Sequence, residues 1–439
     1  MSTSPEVPAK VERAPAAVLL VDDSQVQRRF LRGALEASAD FCVVGEARNG
    51  REAVAMVERL RPAAVLMDLD LPIMNGIEAI ERIMATRPTP IVVYSAFVDG
   101  ENSTNAIEAL AAGAVDVVAK PEWGEGGRLD AYADDLRRRV KVASRVRVIT
   151  HPRARLKRTA PELAPRPADP DAAAPAPAAP VAAAERAEAP AVSTRAPAAP
   201  AAEPDNGHPK RPLRAAAAAL IRGDFVRGTG KDAGVTTAAA AAANGHRPAN
   251  VQVVAIGAST GGPQALATLL SALPADFAPA VLVVQHMAEG FVPGLVAWLD
   301  HLCELPVVLG QSGRRLAPGT VTVAPSGLNL LVHDYLRVVC EPAPERQFHV
   351  PGIDASFTSI ASAVGAEAIG VVLTGMGRDG ATGLKAMRER GAVTIGQDEA
   401  TSAVYGMPAA AWTMGAVEHQ LPLPEIAPLL IDFARGEPS

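Results

Sequence analysis

Short apolar runs that end in polar residues recur along the first third of the chain. They are VLLVDD (18–23), AAVLMDLD (63–70), PIVVYSA (90–96) and AVDVVAKP (114–121). Helical periodicity fills gaps between them, over Gln25 to Leu35 and Glu52 to Leu60. Continuous β-branched runs alternating with amphipathic helices predict strands buried on both faces of a parallel sheet. The pattern returns after residue 250, with VVAIG (253–257), AVLVVQH (280–286) and IGVVLTG (369–375) as strands and Gly262 to Ala272 and Gly383 to Arg390 as helices. Between the two regions it vanishes: residues 151–250 hold 34 Ala, 15 Pro and a single aromatic, Phe225. Such a stretch cannot bury enough apolar surface to offset its ordering entropy. The predicted fold class is therefore α/β, with two doubly wound parallel-sheet domains joined by a long disordered Ala/Pro-rich linker. The expected boundaries are a disordered N-terminus over 1–15, a first domain over 16–140, a linker over 141–250 and a second domain over 251–435.

Composition narrows the function. The formal charge of the 439 residues is 42 − 48 = −6, and no Lys/Arg cluster is interleaved with aromatics, so nucleic acid is not an expected partner. The linker window carries 14 − 9 = +5, which leaves −11 for the rest. Cys42, Cys303 and Cys340 are too scattered for a disulfide framework or a metal site, which fits a reducing cytoplasm. Neither a signal-peptide core nor an apolar stretch of membrane-spanning length is present, so membrane insertion is not expected.

In open α/β sheets ligands gather at the carboxyl ends of the strands. In the first domain those ends deliver Asp22, Asp23, Asp68, Ser95 and Lys120. Three carboxylates on one rim call for a divalent cation with oxygen ligands such as Mg²⁺, held by Asp22, Asp23 and Asp68. Asp68 can then act as a nucleophile toward a phosphoryl group, with Lys120 and the Ser95 hydroxyl pairing with the added oxygens.

In the second domain, Gly257-Ala258-Ser259-Thr260-Gly261 satisfies the G-x-S-x-G pattern of a strained strand-to-helix turn that exposes a serine hydroxyl. A dinucleotide loop is the competing interpretation, but it wants an acidic residue at the end of the next strand, and that strand ends in Gln285 and His286. His286 is a candidate general base. The third strand runs into Met376-Gly377-Arg378-Asp379-Gly380, which brings Asp379 to the same rim as the orienting carboxylate and leaves the Met376 N–H to face an oxyanion. The chain order Ser259, His286, Asp379 differs from that of the α/β-hydrolases. His301, His333, His349 and His419 follow no strand-end pattern and are expected to be surface or packing residues, and the loop Gln397 to Pro408 to support the site.

The stretches DDS, MDLDLPIMNG and AKP resemble the receiver domain of two-component response regulators. The stretches AIGASTGG, QHM, VTVAPSGLNLLV, DASF, VVLTGMGRDGATGL and QDEATSAVYGMPAAA resemble the catalytic domain of chemotaxis protein-glutamate methylesterases, a family with the same receiver, linker and catalytic order. This resemblance implies phosphorylation of Asp68 by a histidine kinase of a chemosensory pathway, with Mg²⁺ also bound by the Asp70 carbonyl. It implies hydrolysis of glutamate γ-methyl esters on methyl-accepting receptors by Ser259, His286 and Asp379, without a cofactor in the catalytic domain. Met376 and Thr260 would supply oxyanion N–H groups, and glutamine deamidation would be a companion reaction. It also implies a cytoplasmic protein recruited to receptor arrays. Two departures stand out. Many receivers carry an aromatic where this chain has Val117, and the linker is longer than the family's usual connection, which makes any restraint of the esterase by the receiver depend on a strong interdomain contact. The alternative is a non-catalytic, receiver-controlled binding or phosphate-sink module.

Overall fold

The computed structural model describes residues 14–95, 101–121, 128–146, 248, 250–345 and 347–436, with backbone alone for 101–104 and 128. Nearly all of the expected N-terminal extension and of the expected linker lies outside these residues.

The first sheet holds β1 (Ala16–Val21), β2 (Phe41–Ala47), β3 (Ala64–Met67), β4 (Ile91–Ser95) and β5 (Asp116–Ala119). Their order is β2-β1-β3-β4-β5, and every pairing is parallel. The helices are α1 (Gln25–Glu36), α2 (Gly50–Leu60), α3 (Gly76–Thr86), α4 (Glu101–Ala112) and α5 (Arg128–Ala143). Helix α2 starts ahead of the predicted Glu52 because Asn49 caps it: the Asn49 side chain accepts from the Glu52 N–H at 2.9 Å, and Glu52 reaches back to the Arg48 N–H at 2.8 Å. Helix α5 runs past residue 140, into the segment expected to be linker. The strand order reverses beside β1, so Asp22 and Asp68 emerge from adjacent strands at the switch point, where such sheets bind ligands.

The second sheet is larger. It contains β6 (Val253–Ala258), β7 (Ala280–Gln285), β8 (Val307–Leu309), β9 (Val321–Val323), β12 (Ala368–Val372), β13 (Val393–Gln397) and β14 (His419–Leu421), all parallel, in the order β14-β13-β12-β6-β7-β9-β8. Its helices are α6 (Gly262–Leu270), α7 (Val292–Leu302), α8 (Ile353–Ala363), α9 (Ala381–Glu389), α10 (Met407–Thr413) and α11 (Leu423–Arg435). An antiparallel hairpin of β10 (Asn329–His333) and β11 (Arg337–Glu341) sits apart from it, an addition that the parallel pattern does not predict. The predicted helix at Gly383 starts two positions earlier, at Ala381, directly after the Asp379-Gly380 turn. Strand β6 is central, flanked by β12 and β7, so the chain departs from it in both directions and leaves a crevice at its carboxyl end.

The two halves share apolar surface. One continuous cluster of buried side chains runs from Leu19, Met67 and Val93 through Ile107 and Leu110 of α4 to Phe291, Val292 and Leu295 beside α7 and on to Ile256 of β6. The opposite faces of the two sheets have separate cores, with Leu20, Leu66 and Tyr94 in one and Phe357, Ile360 and Leu384 in the other.

Candidate active site

Ser259 follows β6 by one residue and opens a tight turn in which the Gly262 N–H donates to the Ser259 carbonyl at 2.7 Å. Gly261 then takes φ 75°, and a Cβ there would lie 2.6 Å from Ala403 Cβ, so only glycine fits both the conformation and the space. The turn is also crowded from behind, where a Cβ at Gly375 would sit 2.7 Å from Ser259 Cβ. Gln285, buried at the end of β7, donates from Nε2 to the Ser259 carbonyl at 2.9 Å and to the His286 carbonyl at 2.8 Å. This tie and the bond from the His286 N–H to the Ala258 carbonyl, 3.0 Å, lock the serine and histidine strand ends together.

His286 Nε2 lies 2.8 Å from Asp379 Oδ2. That carboxylate is fully engaged. Its Oδ2 also accepts from the Ile353 N–H at 2.8 Å, and its Oδ1 accepts from the Asp354 N–H at 2.9 Å and the Gly380 N–H at 3.0 Å. Ile353 and Asp354 open α8, so the carboxylate caps that helix, where free amides and the helix dipole favour negative charge. Burial alone would raise the Asp379 pKa, but the hydrogen bond and charge of His286 and the two helix amides lower it to about 2. Neighbouring Asp354 shifts the other way, raised by burial and by the Asp379 charge. With an acceptor-only carboxylate on Nε2, the imidazole donates there, which leaves Nδ1 as the basic nitrogen. Nδ1 is buried and makes no hydrogen bond. The Ser259 hydroxyl likewise makes none among the described residues, so His286 and Asp379 are joined while Ser259 stands on the neighbouring strand end without a bond to them. The N–H groups of Thr260 and Met376 donate to no acceptor among the described residues, so both are available at the turn.

In the other domain, Asp22, Asp23 and Asp68 place carboxylate oxygens within 4.8 Å of one another. Lys120 Nζ lies 2.6 Å from Asp68 Oδ2 and 3.2 Å from Asp22 Oδ2, the second without hydrogen-bond geometry, so buried Asp22 Oδ2 has no hydrogen-bond partner. An all-oxygen donor set with an orphaned buried carboxylate oxygen fits a hard divalent cation. Burial and the Asp22 charge raise the Asp68 pKa to about 6 against the opposing pull of Lys120. Ser95 is buried at the end of β4.

The CheB methylesterase family model matches residues 254–430, and the response regulator receiver domain model matches residues 18–126. The protein-glutamate methylesterase/protein-glutamine glutaminase 3 of Paramagnetospirillum magneticum is 37% identical over 421 residues, covering 96% of this chain and 97% of the relative. The chain belongs to the CheB methylesterase family. The protein of the same name from Moorella thermoacetica is 38% identical over 433 residues, covering 96% and 99%. The crystal structure of the Thermotoga maritima CheB methylesterase catalytic domain is 32% identical, covers 42% of this chain and 98% of that one, and superposes with a TM-score of 0.40.

Several residues around these CheB-type sites escaped the strand-end logic. His349, expected to be an ordinary surface or packing residue, stacks on the catalytic-rim imidazole: its ring lies 4.5 Å from that of His286, with 16° between the planes. Buried Arg28 holds the acidic corner from below, donating to the Asp22 carbonyl at 2.6 Å and the Asp23 carbonyl at 3.0 Å. The aromatic residue at the receiver site is Tyr94 rather than the residue at position 117. It is fully buried, with Lys120 Nζ 5.3 Å from its ring centroid and its hydroxyl donating to Gln27 at 3.0 Å. In the loop from Gln397, that residue's Oε1 accepts from the Thr374 N–H at 2.8 Å, while the Thr374 hydroxyl donates to the Thr260 carbonyl at 3.0 Å. The loop therefore braces the turn behind Ser259.

The receiver also reaches the serine turn directly. The Gly261 N–H donates to the Val115 carbonyl at 3.3 Å. Gln264 Nε2, in the first turn of α6, donates to the Leu110 carbonyl at 2.9 Å and the Ala114 carbonyl at 3.3 Å. If Asp22, Asp23 and Asp68 hold Mg²⁺, Asp23→Ala takes away one exposed carboxylate and leaves the buried pair, and the Mg²⁺ concentration for half-maximal phosphorylation by a small-molecule phosphodonor should rise on the order of tenfold or more. An unchanged Mg²⁺ requirement overturns Asp23 as a ligand.

Proposed function

We propose that this protein is a phosphorylation-regulated protein-glutamate methylesterase that hydrolyses glutamate γ-methyl esters on methyl-accepting chemotaxis receptors, with glutamine deamidation as a companion reaction. The observation that carries it is the His286–Asp379 pair, whose remaining ring nitrogen is buried and unpartnered beside the Ser259 turn. An imidazole so held needs a proton donor on its free side, and a serine hydroxyl on the adjacent strand end is the group available.

Ser259 Oγ attacks the ester carbonyl carbon while its proton passes to His286 Nδ1. The imidazolium is stabilised by Asp379 through Nε2, and the oxyanion by the free N–H groups of Met376 and Thr260. Collapse expels methoxide, which takes the proton from His286 and leaves as methanol. Water, deprotonated by the same imidazole, then attacks the acyl-serine and returns the free glutamate carboxylate and Ser259. A glutamine substrate follows the same steps with ammonia as the leaving group.

In the receiver, Asp68 accepts a phosphoryl group from a histidine kinase of the chemosensory pathway, and Lys120 and Ser95 pair with the added oxygens. Asp22, Asp23 and Asp68 would hold Mg²⁺, which when bound neutralises charge on the transferring group. The contacts from Val115, Leu110 and Ala114 cover the serine turn in the unphosphorylated protein. They lie on the α4–β5 segment, between the strand ends that carry Ser95 and Lys120, so phosphorylation acts on the cover through its two flanks. No described helix is long and apolar enough to cross a membrane, and encounter with receptors rests on recruitment to their arrays.

Ser259→Ala should cut methanol release from receptor membranes by about 10³-fold or more, with Asp68 phosphorylation intact. Near wild-type release removes Ser259 from the mechanism. His286→Ala and Asp379→Ala should each be severe and the double variant little worse than the poorer single one, because the groups act as a unit. Multiplying losses point to independent roles. Gln264→Ala removes two bonds to receiver carbonyls, each contributing about 1 kcal/mol, so the unphosphorylated rate should rise up to roughly 30-fold while the phosphorylated rate stays put. No rise means that the cover does not restrain the enzyme.

A further inference from the structure

His286 is held at its edge by Asp379 and on one face by a second imidazole that the mechanism above does not use. The His349 ring lies nearly parallel to it at 4.5 Å and 16°. His349 sits in a loop with its own anchorage. Gln347 Nε2 donates to the His349 carbonyl at 2.7 Å, and the Gln347 amide pairs both ways with Asn329, at 2.9 and 2.8 Å. Asn329, buried on β10, also accepts from the Gly352 N–H at 2.8 Å. Immediately downstream come Ile353 and Asp354, the two amides on the Asp379 carboxylate. One segment, 347–354, therefore fixes both the carboxylate at the edge of the imidazole and the ring over its face.

We propose that His349 is a positioning residue for ester hydrolysis, clamping the plane of His286 so that Nδ1 points along the path of the serine proton. This rests on the esterase assignment made above. A ring hinged only at the Asp379 bond can rock about that bond, and a displacement of about 1 Å at a proton-transferring atom costs on the order of 10²-fold in rate. A flat neighbour at stacking distance removes the rocking without competing for either nitrogen. Burial and the adjacent His286 lower the His349 pKa to about 4; Asp379 opposes that shift, and Arg138 and Arg139 on α5 add to it. His349 is thus neutral at physiological pH, and no second cation faces the imidazolium formed during turnover.

The test uses the full-length phosphorylated protein on receptor membranes carrying radiolabelled methyl esters, with the rate of Ser259→Ala subtracted. If that variant hydrolyses normally, the esterase assignment itself falls and His349 is not at issue. Given Ser259-dependent turnover, His349→Ala should lower kcat about 10- to 100-fold with KM within about twofold. His349→Phe, which restores a flat face without nitrogens, should recover kcat to within about threefold of wild type, and His349→Leu, with similar bulk, should stay slow. A wild-type kcat in His349→Ala, recovery by Leu as full as by Phe, or a Phe variant as slow as Ala each overturns the proposal. Should His349→Ala fail to fold, as judged by loss of Asp68 phosphorylation and of a cooperative thermal transition, Gln347→Ala takes its place. Its loosened loop should lower kcat several-fold, and an unchanged kcat overturns the proposal by itself.

Discussion

A carboxylate withdrawn from water must be compensated or it takes up a proton. Asp379 stays ionised because three backbone N–H groups and an imidazole converge on its two oxygens. That requirement fixes much of the catalytic half. The start of α8 must lie against the loop after β12, the loop must turn at Gly380, and β7 must end where its histidine can reach across β6. A carboxyl held near pH 2 instead of at its ordinary 3.8 favours the folded chain above about pH 4, and that contribution is lost as pH falls through 2. The charge that orders the imidazole also holds the helix, so the chemistry and local stability share one group.

The receiver solves the opposite problem. Its three carboxylates have one ammonium among them, and Asp22 keeps a buried oxygen without a hydrogen bond. The rim is left under-compensated, as the proposed binding of a cation and a phosphoryl group requires. At the catalytic rim the charge is satisfied in advance and the open valences are an unpartnered ring nitrogen and two amides. An acyl-transfer site gains from groups already oriented for developing charge, whereas a phosphoryl acceptor needs unmet negative potential to draw in its metal.

The strand-end positions were legible in the sequence because a parallel sheet sends every strand to one edge: an apolar run that stops at Asp22, Asp68, Ser95 or His286 announces the element and a candidate site. Helix starts were less legible where side chains cap them, as at Asn49. His349 was illegible for a different reason. It belongs to a loop held by the Gln347–Asn329 amide pair, and nothing in local periodicity says that a loop residue will stack on a ring at a strand end. Its position just upstream of the DASF stretch was the one available hint. Tyr94 was hidden inside the apolar run of β4, where an aromatic looks like any other core residue. The hairpin of β10 and β11 escaped because it lies outside the parallel pattern. The docking of α4 escaped because Ile107 and Leu110 have the spacing of an ordinary helix core, and sequence does not distinguish burial within a domain from burial between two.

That docking bears on how the receiver can cover the serine turn and still release it. Three hydrogen bonds to Val115, Leu110 and Ala114 carbonyls supply a modest part of the contact, and the apolar cluster that runs unbroken from α4 to α7 supplies the rest. A contact made of a few hydrogen bonds and one apolar seam can also be undone. Moving a two-state equilibrium from mostly covered to mostly open takes a few kcal/mol of differential interaction. The charge-assisted bonds proposed between a phosphoryl group on Asp68 and Lys120 and Ser95 would be of that size.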